Sequence, residues 1–255
     1  LGLRLELVMS SYRLRANGAL LDDFLVLDPG AEWELPVNTS KYYLLPPNDG
    51  RLELVLEVSN FWDRYNTGPC MAPELGVWNA VQEARLSAVA GETFLAGLLL
   101  IAAVYHLMLY FIQRKDRALL YFALLSFGVL LRQLSTNEAY WLYMAGAPLP
   151  LFLKLQLGSI WFICIASIFY FEAVFPKAAF RIPFRILTVA AAAGLILNLI
   201  LPMRQFTALL QLIHLCMGAT ILYVLAVLVR SMLRREPQAG LMLAATLSLS
   251  IPALL

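Results

Sequence analysis

Residues 95–127, LAGLLLIAAVYHLMLYFIQRKDRALLYFALLSF, consist of two apolar runs separated by the charged segment QRKDR. Such a segment fits three structures: a turn between two membrane spans, a surface patch of a soluble helical protein, or a site of chemistry. The composition separates them, because the chain is 61% hydrophobic and 14% charged, whereas soluble domains are about one-quarter charged. The stretch therefore predicts two membrane-spanning helices joined by a short turn.

Charge is distributed unevenly along the 255 residues. Residues 1–90 contain seven Lys/Arg and twelve Asp/Glu, whereas residues 91–255 contain twelve Lys/Arg and five Asp/Glu. An acidic, soluble-looking part thus precedes a basic, apolar part. Outside the short connections between apolar runs the basic residues form no stripe, so no nucleic-acid partner is expected.

The first ninety residues show the period-two alternation of half-buried strands. Leucine and valine alternate with charged or polar residues in RLELVLEVSNF, residues 51–61. In SYRLRANGALL, residues 11–21, the alternation runs into Asn17-Gly18, a strong hairpin signal because both residues tolerate positive φ. No helical period is evident before residue 90. We therefore predict an antiparallel β-sandwich over residues 1–90, with its first strands expected upstream of Leu1.

Aromatic residues are abundant in this β-rich part, and two interpretations of them stay open. They fill the sandwich or rest on the membrane interface, or some of them stack on a sugar beside polar groups. The best candidate for a ligand contact is the loop FWDRYNTGP, residues 61–69. The candidate ligand-binding residues at this loop are Asn60, Trp62, Asp63, Arg64 and Tyr65.

Long apolar runs follow Glu92, and a membrane span needs about 20 such residues. The predicted transmembrane region covers residues 91–255, and its connections are short, so consecutive helices are expected to be antiparallel neighbours. Spans are predicted near residues 93–112, 118–134, 151–175, 184–202 and 206–229, with the start of a sixth from 239. A seventh span, which would lie beyond Leu255, would bring the chain back to the cytoplasm.

The basic residues in the connections predict the orientation, because cytoplasmic connections carry an excess of Lys and Arg. Nine basic residues follow the first, third and fifth spans: Arg114, Lys115, Arg117, Lys177, Arg181, Arg185, Arg230, Arg234 and Arg235. The opposite side has three: Arg132, Lys154 and Arg204. The β-rich part is therefore expected outside the cell membrane.

Polar residues inside spans are candidate functional residues, because burying them in lipid is costly. His106, Gln211 and His214 fall in this class; an interhelical hydrogen bond that fixes packing is the main expectation for the two histidines. Three cysteines, Cys70, Cys164 and Cys216, have no disulfide or metal-ligand spacing, and the latter two are expected to be small buried side chains. No phosphate loop, HExxH or GxSxG motif occurs, so no catalytic residue, metal or cofactor is expected.

Residues 91–132, GETFLAGLLLIAAVYHLMLYFIQRKDRALLYFALLSFGVLLR, resemble the opening of the bacterial seven-transmembrane receptors with diverse intracellular signalling modules (7TMR-DISM). The shared features are a Gly-containing first span, a Tyr-His pair, a basic turn and a Tyr/Leu-rich second span. SYRLRANGALL and residues 52–76, LELVLEVSNFWDRYNTGPCMAPELG, resemble the family's periplasmic jelly-roll domain, which is related in fold to galactose-binding-like carbohydrate-binding modules. Where the family often has a glycine pair after the Ser-Asn-Phe strand, this chain has NTGP, with only Gly68.

The resemblance implies a fragment of a sensory receptor of the bacterial inner membrane. A periplasmic domain would bind a ligand, a carbohydrate among the candidates, and seven helices would relay the event to a kinase, cyclase or phosphatase module. The segment LSAVAGET, residues 86–93, is the expected connector, and the lipid bilayer and a second copy of the chain are the expected partners. One alternative is a transporter or membrane enzyme with an appended glycan-binding domain, which predicts an inward-facing polar pathway through His106, Gln211 and His214. A non-signalling scaffold is the other.

Overall fold

The structure is a computed structural model that describes most of the chain. The described residues are 1–6, 8, 10–25, 40–47, 50–59, 68–69, 71–136, 149–202, 205 and 210–254. The strands are β1 (Gly2–Leu5), β2 (Ser11–Ala16), β3 (Ala19–Asp23), β4 (Lys41–Leu44), β5 (Leu54–Ser59) and β6 (Glu74–Gly76). The helices are α1 (Trp78–Ile112), α2 (Arg117–Leu134), α3 (Leu149–Val174), α4 (Arg181–Ile200), α5 (Leu210–Leu233) and α6 (Ala239–Leu254).

The chain divides into two compact units. Unit 1 contains residues 1–97, 132–156 and 201–208, and unit 2 contains residues 98–131, 157–200 and 209–255. The six strands found among the described residues therefore belong to unit 1, together with the beginning of α1. Unit 2 consists of helices and the connections that follow α1, α3 and α5.

The strands form two antiparallel sheets of three strands, in the orders β4-β1-β6 and β3-β2-β5. The hairpin predicted at Asn17-Gly18 is confirmed: β2 pairs with β3, and the two turn residues have φ of 48° and 80°. The Asn17 carboxamide oxygen also accepts a hydrogen bond of 2.8 Å from the Glu53 amide. The hairpin turn is thus attached to the segment that leads into β5.

Both sheets contribute side chains to one hydrophobic core. Leu3 and Leu5 of β1 and Tyr12 and Leu14 of β2 are each at most 2% exposed, and leucines of the β5 segment pack against them. The strand alternation read from the sequence places these residues on the inner face. The antiparallel β character is confirmed, and the jelly-roll topology stays a prediction.

Five helices of the described chain, α1 to α5, are long and apolar enough to cross a membrane. Helix α2, Arg117–Leu134, coincides with the span predicted near 118–134, and both ends of α3, α4 and α5 lie within four residues of the predicted spans. The QRKDR segment is the turn between α1 and α2. There the Asp116 carboxylate accepts a 3.0 Å hydrogen bond from the Ala118 amide and caps the N-terminus of α2.

Helix α1 differs from the expectation, because it begins at Trp78, before the predicted domain boundary at residue 90. Its first fifteen residues, WNAVQEARLSAVAGE, include four alanines, two glutamates, one glutamine and one arginine. These residues favour helices but carry no hydropathy signal. The predicted connector at residues 86–93 is therefore the interior of a helix.

Helix α3 is the most deeply packed of the five apolar helices: half of its most apolar window is buried, compared with 11% for α1. Small residues allow its neighbours to approach closely. A Cβ atom added to Gly194 of α4 would lie 2.5 Å from the Trp161 ring of α3, and one added to Gly128 of α2 would lie 2.8 Å from Phe162. Close approach at small residues is how helices associate in lipid.

Candidate functional site

The predicted ligand-binding residues Asn60, Trp62, Asp63, Arg64 and Tyr65 lie outside the described residues. The chain on either side of this loop is described. Before it, the Ser59 carbonyl accepts a 2.8 Å hydrogen bond from the Ser11 hydroxyl. After it, the Gly68 amide donates a 3.0 Å hydrogen bond to the Ser10 hydroxyl. Both ends of the loop are therefore attached to one buried pair of serines at the start of β2.

A polar chain of side chains joins the two sheets. The Tyr43 hydroxyl of β4 donates a 2.6 Å hydrogen bond to the Asp22 carboxylate of β3, and it accepts a 2.7 Å hydrogen bond from the Tyr12 hydroxyl of β2. Burial, together with the bonds to Asp22 and Tyr12, raises the pKa of Tyr43. The phenol therefore stays protonated. The sequence pattern did not indicate this link between the sheets, because its three residues are distant in the chain.

The outer face of the β3-β2-β5 sheet carries a row of ion pairs. Arg13 in the central strand lies 3.0 Å from Asp23 of β3 and 3.4 Å from Glu57 of β5. The hydrogen bond from Arg13 holds the pKa of Asp23 below its ordinary value, and the same bond raises the pKa of Arg13. This face is exposed to solvent, so the pairs are screened and contribute little to stability.

The other sheet is attached directly to α1. Strand β6 ends at Gly76, and α1 begins two residues later. A Cβ atom added to Gly2 of β1 would lie 3.0 Å from the Trp78 ring, so strand and helix touch through this glycine. Two turns further, the Arg85 guanidinium lies 5.0 Å from the centre of the Tyr42 ring of β4. The start of α1 is thus packed on the β4-β1-β6 sheet.

The predicted connector lines an open groove within unit 1. The groove has a volume of about 580 Å³, and its polar lining includes Ser87 and Glu92 of α1 and Gln133 of α2. The sequence predicted residues 86–93 as a connector. It gave no indication of Gln133, which the fold brings to the same groove.

Within the described part of the chain, no hydrogen bond joins His106, Gln211 and His214. His106 Nδ1 donates a 2.8 Å hydrogen bond to the Ala102 carbonyl of its own helix, and its ring centre lies 4.4 Å from that of Phe122 in α2. His214 Nδ1 likewise donates to the Leu210 carbonyl, and His214 and Gln211 are exposed on α5. At these two nitrogens the structure has bonds within each helix, and the interhelical hydrogen bonds stay a prediction. The arrangement gives no support to the polar pathway that a transporter requires.

Cys164 of α3 and Cys216 of α5 are free and buried, as predicted for small core side chains. The fold adds that the two thiols lie next to each other. A sequence separation of 52 residues gave no signal of this contact. It shows that the buried faces of α3 and α5 meet near the middle of α3 and within the first two turns of α5.

The basic residues used to predict the orientation are divided between the units. All nine residues of the three basic connections belong to unit 2, and Arg132 and Lys154 belong to unit 1 with the sheets; Arg204 lies outside the described residues. Arg114, Lys115 and Arg117 are exposed at the α1–α2 turn. Arg230 donates to the Ala178 carbonyl at 3.2 Å, and Arg234 donates to the Lys177 carbonyl at 2.6 Å.

These observations define a class: a membrane protein with several spanning helices and an attached part built from antiparallel sheets. The profile of the family described as "7TM diverse intracellular signalling" matches residues 91–255, which is more than half of the chain. The chain therefore belongs to that family, a family of membrane receptors. No curated protein and no solved structure matches the chain significantly.

Proposed function

We propose that this chain is the sensing and membrane-spanning part of a receptor. A ligand would bind the β-rich part, and α1 would carry the resulting movement across the membrane to an output module. The observation that carries the proposal is the continuity of α1, whose 35 residues run without a break from the sheet contact at Trp78 to the turn at Gln113. A helix of this length spans about 52 Å.

The relay would be a shift between two packing states of α1. Its spanning part is the least buried of the five apolar helices, so few contacts within the described chain oppose its movement. Its first turns, in contrast, are packed on the β4-β1-β6 sheet through Gly2 and Tyr42. Ligand binding shifts such an equilibrium only if the ligand prefers one state over the other.

For the orientation, we propose that the β-rich part is periplasmic and that the chain resides in a bacterial inner membrane. The nine basic residues in the connections after α1, α3 and α5 support this placement, because positive connections stay in the cytoplasm. This orientation is tested with variants that carry a single cysteine and a labelling reagent that does not cross membranes. A cysteine replacing Ser40 should react in intact cells without their outer membrane, and one replacing Lys115 should not.

For the ligand, we propose a carbohydrate bound at the loop that follows β5, in a sheet domain of jelly-roll type. Support comes from the aromatic and polar residues of that loop and from the two serines that fix its ends. The test is a thermal-shift screen of the purified chain against a panel of mono- and oligosaccharides. A stabilising sugar should lose its effect with Trp62→Ala and keep it with the matched variant Trp33→Ala. If no saccharide stabilises the chain, the ligand is of another class.

The relay is tested separately by changing the phase of α1. One alanine inserted after Ala88 rotates the two sides of the helix by about 100°, whereas seven inserted residues restore the phase to within about 20°. With the most stabilising saccharide bound, hydrogen exchange should change at residues 113–116 in the wild-type chain and in the seven-residue insertion only. An equal change in the one-residue insertion would show that α1 does not carry the signal.

A further inference from the structure

The connection between α3 and α4 forms a positively charged corner. Arginines of the α5 end bond to this corner, and arginines of α4 follow it. Arg230 and Arg234 of α5 donate to the carbonyls of Ala178 and Lys177, and Arg230 also lies 4.6 Å from the centre of the Phe180 ring. These two side chains fix the corner from one side. Residues 177–185, KAAFRIPFR, contain three basic residues and no acidic residue.

Arg181 and Arg185 extend from this corner into solvent. They are one turn apart on α4, both are exposed, and within the described part of the chain neither has a hydrogen bond or ion pair to a protein group. A guanidinium at the boundary of the apolar region, without a carboxylate partner, is suited to an external anion. Phosphate is the anion that the arginine fork binds in bidentate geometry.

The outer face of α4 continues from these arginines as an apolar strip. Ile182, Ile186 and Val189 are between 62% and 72% exposed and recur at the spacing of one helix face. The opposite face, with Ala191, Gly194 and Asn198, is buried in the bundle. On a helix of 3.6 residues per turn, Arg185 lies about 65° and Arg181 about 105° from the centre of the strip, both on the same side of it. A cationic head and an apolar strip thus lie side by side.

We propose that this face of α4 binds an anionic phospholipid, with its phosphodiester on Arg181 and Arg185 and an acyl chain along Ile182, Ile186 and Val189. Charge complementarity selects the lipid, because a zwitterionic headgroup would bring its own cation to a corner that already carries Lys177, Arg181 and Arg185. Clusters of basic residues beside spanning helices recognise anionic headgroups in this way. The bound lipid would hold the α3–α4 corner on the membrane surface.

The test uses the whole chain in nanodiscs made from equal parts of phosphatidylcholine and phosphatidylglycerol, with retained lipids counted by native mass spectrometry. Phosphatidylglycerol should be enriched on the wild-type chain, and the double variant R181Q/R185Q should lose the enrichment by a factor on the order of ten. The matched control R114Q/K115Q removes the same charge from another connection and should keep it. An equal loss in the control would reduce the site to a general charge effect and overturn the proposal.

A second measurement on the wild-type chain does not depend on the folding of a variant. Phosphatidylglycerol with a photoactivatable group in its acyl chain should cross-link to the segment 182–189. Adducts found only on other segments would overturn the proposal. Displacement of the lipid by millimolar inorganic phosphate would also overturn it, since it would indicate a site for a soluble anion.

Discussion

In the β-rich part a chain of polar side chains links one sheet to the other beside an apolar core, whereas in the helical bundle two close helix contacts place a glycine against an aromatic ring. Tyr43 bonds to Asp22 and Tyr12 between the sheets, and Gly194 lies against Trp161 between α4 and α3. The difference follows from the solvent. In water, apolar burial supplies the main driving force and polar links fix the geometry. In lipid that driving force is absent between helices, so close packing supplies the attraction.

The largest expected effect tests the close packing. Gly194→Leu places a side chain where the Trp161 ring lies, and Trp161 is 4% exposed and cannot move aside freely. Overpacking of this kind should destabilise the bundle by about 3 kcal/mol. Thermal unfolding in detergent, followed by size-exclusion chromatography, measures the loss. The matched control is Gly97→Leu, since a Cβ atom at Gly97 meets nothing within 4 Å; equal losses in both variants would show that packing does not distinguish these helices.

The second effect tests the polar link between the sheets. Tyr43→Phe removes the donor to Asp22 and the acceptor for Tyr12, and should cost about 2 kcal/mol because one partner is charged and partly buried. Tyr12→Phe keeps the bond between Tyr43 and Asp22, so its cost should be about half as large. Thermal unfolding monitored by near-ultraviolet circular dichroism reports both. A larger loss in Tyr12→Phe would mean that apolar packing, and not the carboxylate bond, dominates at this position.

The two regions also differ in what their sequences predicted. Helix α2 begins and ends within a residue of the predicted span, because a lipid-spanning helix must be apolar throughout and hydropathy is a local property. The Asn17-Gly18 turn was predicted for a similar reason, since positive φ is required at those two residues themselves. Both predictions rest on sequence patterns that are contained within a few residues or a single helix.

Contacts between distant segments gave no such signal. Tyr43 and Asp22 are 21 residues apart, and nothing in either local pattern specifies the other. The beginning of α1 was missed for a different reason. Residues 78–92 are mostly good helix formers of mixed polarity, so neither the strand period nor hydropathy marks them, and their contact with the sheet decides where the helix begins.

A smaller effect is expected where α1 meets the sheet. Arg85→Ala removes a guanidinium that lies 5.0 Å from the centre of the Tyr42 ring and should cost about 1 kcal/mol. Because α1 is otherwise packed on the sheet through Trp78 and Gly2, the fold should be retained. The control Arg51→Ala removes an exposed arginine before β5 and should leave the melting temperature unchanged. If both variants melt at the same temperature as the wild-type chain, Arg85 contributes nothing to the attachment of α1.

The smallest effect concerns the ion pairs on the outer sheet face and depends on pH. The hydrogen bond from Arg13 lowers the pKa of Asp23 in the folded chain below its ordinary value of 3.8. The stabilisation is therefore present above that value and is lost as the pH falls through the folded pKa. Between about pH 6 and about pH 3, the melting temperature of the β-rich part should fall less in Asp23→Asn than in the wild-type chain. Arg13→Gln should reduce the acid-induced fall in melting temperature in the same way, because the shift in the pKa of Asp23 needs both partners.

Added salt should reduce this acid-induced fall in the wild-type chain, because exposed charges are screened. The contact between Gly194 and Trp161 should be unaffected, because packing contacts are not screened. An equally large fall in the melting temperature of Asp23→Asn at acid pH would show that other carboxylates cause the fall. The ion pairs would then contribute nothing measurable to the stability of the sheets.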